Sequence, residues 1–180
     1  NDEIVNIVSG DPEKAFRRGV EHAERIYCPR IPGATDIVVV SSYPADMDYW
    51  QAVKPLTYAS VAVQEGGTIV LLSPCPDRIS STHPILAEKA GTRYEELVEM
   101  LSENGIEDLV AAGTLLLHSQ ILERANIICY SGGLTRDDKE ALGFAHAENP
   151  HEAIEMALES QGQDARVGIL KCGKILPRIE

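Results

Sequence analysis

The chain has 180 residues, of which 44% are apolar and 24% charged, a balance typical of globular proteins rather than disordered or fibrous ones. It carries 16 basic and 28 acidic residues, a formal charge of −12, and its basic residues cluster only in pairs such as Arg17-Arg18, which argues against nucleic acid as a partner. It has neither a membrane-length apolar run nor a secretory signal following Asn1, so we expect a cytoplasmic protein without membrane contacts.

The first elements alternate between strand and helix patterns. Ile4 to Val8 predict a short strand. Asp11 as N-cap and Pro12 in the first turn begin a predicted amphipathic helix that ends near Cys28-Pro29. Ile37 to Val40 lack polar alternation, which predicts a strand covered on both faces.

The next helix and strand are marked by proline and glycine. A helix begins near Asp46 to Asp48, is interrupted or kinked at Pro55, and continues from Leu56 to Val63. Gly66-Gly67 end it, and Thr68 to Leu72 predict another buried strand.

A long loop and two helices follow. Ser73 to Pro84 contain three prolines and predict an irregular loop. Thr92 and Glu95 form a capping-box pattern for a helix that ends at Asn104-Gly105. Ile106 to Ala125 predict another helix, with a buried side made of Leu109, Val110, Leu117, Ile121 and Leu122.

The last third completes an alternating pattern. Its predicted elements are a strand over Ile127 to Tyr130, a helix over Thr135 to Leu142, a short strand over Phe144 to Ala147, a helix from Asn149 through Leu158, a strand over Val167 to Leu170, and an extended tail from Gly173. Such alternation predicts an α/β fold of three layers, a mostly parallel Rossmann-like sheet with helices on both faces, formed by residues 1–180 as a single domain.

Three loops at the carboxyl ends of predicted strands are rich in small polar residues, which suits a ligand crevice. The same residue types also populate ordinary turns, so their composition alone leaves both interpretations open. The candidate crevice residues are Ser41, Ser42, Tyr43, Asp46, Cys75, Ser131 and Gly132.

The segment from Pro44 to Lys54 carries the most distinctive local pattern. Gln51 and Lys54 are three residues apart and Trp50 and Lys54 four apart, so a helix places each pair on a shared face. A lysine there can hold a small carboxylate while a neighbouring amide orients it. The alternative is ordinary packing and solvated surface.

Other common sites are not predicted. The chain lacks the GxSxG elbow of serine hydrolases and the GxGxxG dinucleotide fingerprint. Its four cysteines form no CxxC pair and are expected to be reduced thiols. No metal site is predicted, because no two of the histidines have helical i, i+4 spacing; they are His22, His83, His118, His146 and His151.

Four stretches occur in the order and spacing of one known family: Asp11 to Ala15, Pro44 to Lys54, Gly66 to Ile69, and Cys75. Through them the chain resembles the C-terminal half of the nickel-dependent lactate racemases, which are nickel-pincer-nucleotide enzymes. The resemblance implies that the chain is one half of a larger two-domain enzyme with its active site between the halves.

The resemblance also implies a cofactor and partners. In that family a nickel pincer nucleotide, held mainly by the N-terminal half, accepts hydride from the α-carbon of a 2-hydroxy acid, while histidines of that half move the hydroxyl proton. The implied partners are a small 2-hydroxy acid or other carboxylate and the missing N-terminal domain. No catalytic residue is therefore assigned here, and the isolated chain is expected to be inactive.

Substrate-side residues of the family match Gln51 and Lys54, which the resemblance assigns to substrate positioning and carboxylate recognition. Trp50 stands where a tyrosine is usual, and Arg78 lies in a turn where Glu-Gly is common and is expected to add positive charge to the crevice. These departures favour a 2-hydroxy acid bulkier or more acidic than lactate.

Two other functions stay open. One is a non-catalytic module that keeps the same fold and binds small carboxylates or has a regulatory role, and the other is an acidic partner domain with a structural role. An upstream segment of comparable size, with a histidine-rich loop and a lysine, would favour the racemase or epimerase.

Overall fold

The computed structural model describes residues 3–180. Its elements in chain order are α1 (Pro12–Tyr27), β1 (Arg30–Ile31), β2 (Thr35–Ser41), α2 (Tyr49–Ala62), β3 (Val63–Leu72), α3 (Ile85–Lys89), α4 (Tyr94–Ser102), α5 (Leu109–Arg124), β4 (Asn126–Tyr130), α6 (Arg136–Ala141), β5 (Ala145–His146), α7 (Pro150–Gln161), β6 (Val167–Leu170) and β7 (Arg178–Ile179).

Five strands form the main sheet in the order β5-β4-β3-β2-β6, and every pairing in it is parallel. Val39 of β2 lies opposite Val70 of β3 and Ile169 of β6. The chain adds β3, β4 and β5 on one side of β2 and returns to place β6 on the other. The order therefore reverses between β2 and β6, the position where open parallel sheets leave a crevice.

Helices cover both faces of this sheet, as the alternating pattern predicts. The larger core lies on the face covered by α2 and α5, and includes Val38, Leu56 and Leu115. On the other face α7 packs against β3 and β4, and its Ala153 and Ala157 join Val70 in a smaller core. The α/β three-layer prediction is confirmed.

Pro55 does not interrupt α2, which is one helix from Tyr49 to Ala62. Proline lacks the N–H that would bond the carbonyl of Gln51, so the helix loses one internal hydrogen bond. Pro55 and Leu56 are buried in the core, so tertiary packing holds the helix together across the proline. The prediction of two helical pieces is wrong for this reason.

Gly66-Gly67 do not precede β3 but lie inside it, where the register with β2 shifts. A Cβ at Gly67 would lie 2.7 Å from the carbonyl oxygen of Asp36. The glycine permits a close approach of the two backbones, which a sequence pattern cannot distinguish from a turn.

Three further expectations at element ends are wrong. Ile4 to Val8 form no strand and are largely exposed. The Thr92 and Glu95 capping box is absent, because α4 begins after Arg93 without a side-chain cap. α5 begins at Leu109, where Asp108 accepts a hydrogen bond from the backbone N–H of Ala111.

The buried side of α5 also differs from the expected one. Leu109, Val110 and Leu117 are exposed, whereas Ile121 is buried as expected, together with Leu115 and several smaller or polar residues. The buried side is the one that packs against α2, and its position depends on tertiary contacts that the apolar pattern does not specify. The buried residues of α5 are Ala111, Ala112, Thr114, Leu115, His118, Ser119 and Ile121.

Two further findings concern the cysteines and the helices. All four cysteines are free thiols. Within residues 3–180, none of the helices combines the length and the apolar character needed to cross a membrane.

Candidate functional site

A cavity of about 520 Å³ opens where the sheet order reverses. The loops that follow β2 and β6 form part of its wall, through Pro44 and Gly173 respectively. Two lysines and no acidic side chain are among its lining residues, although the chain as a whole is strongly acidic. The lining residues are Tyr27, Cys28, Pro44, Ala45, Gln51, Lys54, Tyr58, Gly173, Lys174 and Leu176.

Gln51 and Lys54 lie side by side at this cavity. Asp48 caps α2 by accepting a hydrogen bond from the backbone N–H of Gln51 at 2.9 Å, which fixes the first turn. Nζ of Lys54 donates to Oε1 of Gln51 at 2.6 Å. The Gln51 amide N–H groups and the remaining Lys54 protons are thus left as donors, an arrangement suited to a carboxylate.

Trp50 does not line the cavity. Its ring lies 4.4 Å, centroid to centroid, from that of His83, whose Nδ1 is 2.6 Å from Oδ2 of Asp108. The ammonium of Lys54 is 6.0 Å from the Trp50 ring centroid. Trp50 therefore packs against His83, which bonds the N-cap residue of α5, and its ring also lies within cation–π distance of Lys54.

The start of α2 is held from two directions. The backbone N–H groups of Tyr49 and Trp50 donate to the carbonyls of Arg78 and Ile79, at 2.9 and 3.0 Å. The fully buried Tyr49 hydroxyl shares a 2.6 Å hydrogen bond with Nδ1 of His118. Burial raises the pKa of Tyr49 well above its usual value, so this hydroxyl stays neutral.

Arg78 is committed to an ion pair and does not line the cavity. Its guanidinium donates to both carboxylate oxygens of Asp138, at 2.9 and 2.7 Å. Burial tends to raise the pKa of Asp138, but the hydrogen bonds from Arg78 and Thr135 outweigh it and keep that pKa below its usual value. This ion pair offsets the positive charge of Arg78 locally, although its side chain is still 59% exposed.

Three of the other candidate residues face the protein interior. Ser42 donates to Ser73 Oγ at 2.7 Å, and Ser73 Oγ lies 2.9 Å from the sulfur of Cys75. Burial raises the pKa of Cys75 to about 11, so its thiol is unreactive at neutral pH. Ser131 donates to the carbonyl of Pro74 at 3.0 Å.

The remaining crevice candidates are dispersed. Gly132 lines a separate cavity of about 630 Å³ beyond the ends of β3 and β4. Ser41 accepts a long hydrogen bond from the backbone N–H of Tyr43, whose ring is exposed. Asp46 is half-buried, and its carbonyl accepts from the N–H of Cys75. These residues therefore shape the loops around two cavities and do not converge on one.

Six cavity residues outside the Pro44 to Lys54 segment were not identified from the sequence: Tyr27, Cys28, Tyr58, Gly173, Lys174 and Leu176. Lys174 follows β6, so the predicted parallel sheet already placed it at the same edge as the loop after β2. Tyr27 and Cys28, at the end of α1, reach the cavity because the backbone N–H of Leu176 donates to the carbonyl of Tyr27. No pattern in the sequence predicts this contact.

Metal ligands are not assembled in the described part of the chain. Among residues 3–180, no group of three or more histidine, cysteine or acidic side chains could hold a metal ion.

Comparison with known proteins gives a consistent result. The family model described as the lactate racemase C-terminal domain matches residues 32–175. The chain is 24% identical over 173 residues to the lactate racemase of Thermoanaerobacterium thermosaccharolyticum and 25% identical over 173 residues to that of Lactiplantibacillus plantarum. Each alignment covers 94% of this chain, which spans only 40% and 41% of the two relatives.

Solved structures show the same fold. The lactate racemase apoprotein from T. thermosaccharolyticum superposes with a TM-score of 0.85 at 23% identity, covering 97% of this chain and 43% of that one. A Thermotoga maritima protein matches with a TM-score of 0.63 at 13% identity, covering 93% of this chain and 42% of that one.

Proposed function

The chain belongs to the lactate racemase C-terminal domain family, and we propose that it is the substrate-facing half of a larger enzyme that racemises or epimerises a 2-hydroxy acid. The observation that carries this proposal is the Gln51–Lys54 pair at a cavity lined by two lysines and no carboxylate. In a protein with a formal charge of −12, such a cavity concentrates positive potential where an acid could bind.

We assign carboxylate binding to these two side chains. The Lys54 ammonium supplies the charge, and the Gln51 amide, held by its hydrogen bond to Lys54, supplies a donor of fixed direction. The Asp48 cap and the Tyr49–His118 hydrogen bond hold the first turn of α2, so the pair is positioned before substrate arrives.

The resemblance to the family supports a nickel pincer nucleotide as the cofactor of the intact protein, where it would accept and return a hydride. Residues 3–180 form no metal site, so they do not fit the metal by themselves. We therefore propose that the N-terminal half holds this group and supplies the acid and base, and that this chain contributes substrate binding.

Lys54→Ala in the intact protein is expected to weaken substrate binding about 10- to 100-fold, the range for losing a hydrogen bond to a charged group. Because the ground state and the transition state share the carboxylate contact, KM should rise more than kcat falls. Lys89→Ala, which changes a lysine at the end of α3 outside the cavity, is the matched control. Equal KM and kcat values for the two variants would show that Lys54 does not bind the substrate.

Lys174→Ala tests whether the substrate carries a second anionic group. Lys174 adds a further positive charge to the cavity. It is exposed like Lys54 but lacks the amide neighbour that Gln51 gives Lys54, so we expect a loss of about 3- to 10-fold in affinity for dicarboxylic hydroxy acids. Affinity for monocarboxylic acids should be unchanged. Inhibition constants for paired mono- and dicarboxylic acids measure this difference, and equal losses for both classes would contradict it.

The racemase activity itself is tested with the intact protein produced together with its cofactor-making enzymes. A panel of enantiopure 2-hydroxy acids is followed for loss of optical rotation, with Lys54→Ala as the comparison. Binding of an acid without loss of rotation would instead support a non-catalytic carboxylate-binding module.

A further inference from the structure

Helix α1 has one charged and one apolar face. Phe16, Val20, Ala23 and Tyr27 recur at intervals of four, three and four residues, which places them on one side of the helix. The opposite side carries the charges of Lys14, Arg18, Glu21 and Arg25, and Glu13, Arg17 and Glu24 lie along one border of the apolar side. A helix with this division normally buries its apolar side.

No residue of α1 is buried by the rest of the described chain. The Phe16 side chain is 72% exposed, and neither of the two hydrophobic cores includes a residue from this helix. Ile4 and Ile7, in the segment before α1, are also more than three-quarters exposed. The described part of the chain therefore leaves the apolar side chains of α1 exposed.

The polar contacts that attach α1 to the body lie at its C-terminal end. The backbone N–H of Leu176 donates to the carbonyl of Tyr27, and that of Arg178 donates to the carbonyl of Pro29, each at 2.9 Å. The Arg178 guanidinium also pairs with Glu24. These bonds set the position of the helix and leave its apolar face open.

The length of the relatives indicates what covers this face. The match to the C-terminal domain family begins at residue 32, after α1 has ended, and the chain spans only about 40% of the relatives. Since the matched domain is the C-terminal one, most of the remaining polypeptide precedes it. Charged surfaces of mixed sign on the other face of α1 argue against insertion into a membrane surface.

We propose that the apolar face of α1 docks onto the preceding N-terminal region of the same polypeptide, as the last helix of that region. The domain expected over residues 1–180 would then begin after α1, and the paired strands β1 and β7 would form the connection between the two halves. This inference rests on the proposal that the chain is half of a larger enzyme.

Hydrogen exchange of the intact protein tests the docking. Phe16→Asp is expected to speed exchange of the α1 backbone amides on the order of 100-fold, because it places a charge in the buried face, while amides of β2 to β4 stay protected. Phe16→Ala, the milder variant, is expected to speed exchange of the same amides about 10-fold. Lys14→Asp alters the charged face of the same helix and should leave the α1 amides within about 3-fold of wild type.

Two results would overturn the proposal. One is equal α1 exchange in Phe16→Asp and Lys14→Asp. The other is a dimer of the intact protein, measured by sedimentation velocity, that Phe16→Asp converts to a monomer, because a second copy would then cover the face. The exchange readout needs neither substrate nor cofactor, so a failure of the racemase assay would leave it unaffected.

Discussion

Gly133→Ala is expected to abolish folding of the chain or to destabilise it by about 4 kcal/mol or more, an effect at the upper end for single substitutions. A Cβ at Gly133 would lie 1.9 Å from the carbonyl oxygen of Cys75 and 2.7 Å from that of Pro74. Both are backbone atoms, so no rotamer change can relieve the clash. Soluble yield and the denaturant midpoint of any folded material measure the effect.

The neighbouring glycine provides the matched control. A Cβ at Gly132 would meet nothing within 4 Å, so Gly132→Ala should change stability by no more than about 1 kcal/mol. Similar losses in the two variants would show that the loops after β3 and β4 do not pack as closely as the structure has them.

This close approach also affects the candidate site. The backbone N–H of Gly133 donates to the carbonyl of Pro74 at 2.8 Å, which ties the loop after β4 to the loop after β3. The latter loop supplies the Arg78 and Ile79 carbonyls that hold the start of α2. A disturbance at Gly133 should therefore reach Gln51 and Lys54 without touching either residue.

The sheet was predictable because its signals are local. Ile37 to Val40 and Val167 to Leu170 are uninterrupted apolar runs between polar segments, and both form strands where predicted. Asp48 and Asp11 likewise cap their helices, since an N-cap needs only a side-chain oxygen three residues before its donor.

Features that depend on packing were not predictable in the same way. From the sequence alone, Gly67 indicates a turn and Pro55 a helix break. In the structure, Gly67 lies inside a strand close to β2, and Pro55 lies inside a helix that packs in the core. The exposed faces of α1 and α5 show the same limit, because an apolar pattern does not specify whether its partner lies in this chain.

The candidate site likewise contains some features that local sequence predicts and others that depend on packing. Helical spacing predicted that Gln51 and Lys54 share a face, and their side chains do form a hydrogen bond. The directions of Trp50 and Arg78 depend on His83 and Asp138, which are 33 and 60 residues away in sequence. The roles assigned to these residues in substrate binding stay predictions for the variants described above.

Acid is expected to destabilise the isolated chain through His118. Burial lowers the pKa of this histidine to about 4, well below the usual 6.5, and the carbonyls of Leu142 and Ala90 offset this only in part. The unfolded chain therefore binds a proton that the folded chain rejects between these two pH values, so stability is greatest above pH 6.5 and falls towards pH 4. This single group accounts for a loss of about 3 kcal/mol in the free energy of unfolding.

Denaturant unfolding at several pH values, with His118→Gln as the test variant, isolates this contribution. Glutamine does not titrate and still offers a hydrogen-bond partner to Tyr49, so the variant should lose about 3 kcal/mol less than wild type between pH 7 and pH 4. His151→Gln, on the exposed face of α7, should keep the wild-type pH dependence. Protonation of carboxylates such as Asp138, whose pKa is lowered in the folded state, also reduces the stability of the protein in acid. This loss is the same in all three proteins. If His118→Gln and wild type decline in parallel, the pKa of His118 is the same in the folded and unfolded chains, and burial does not lower it.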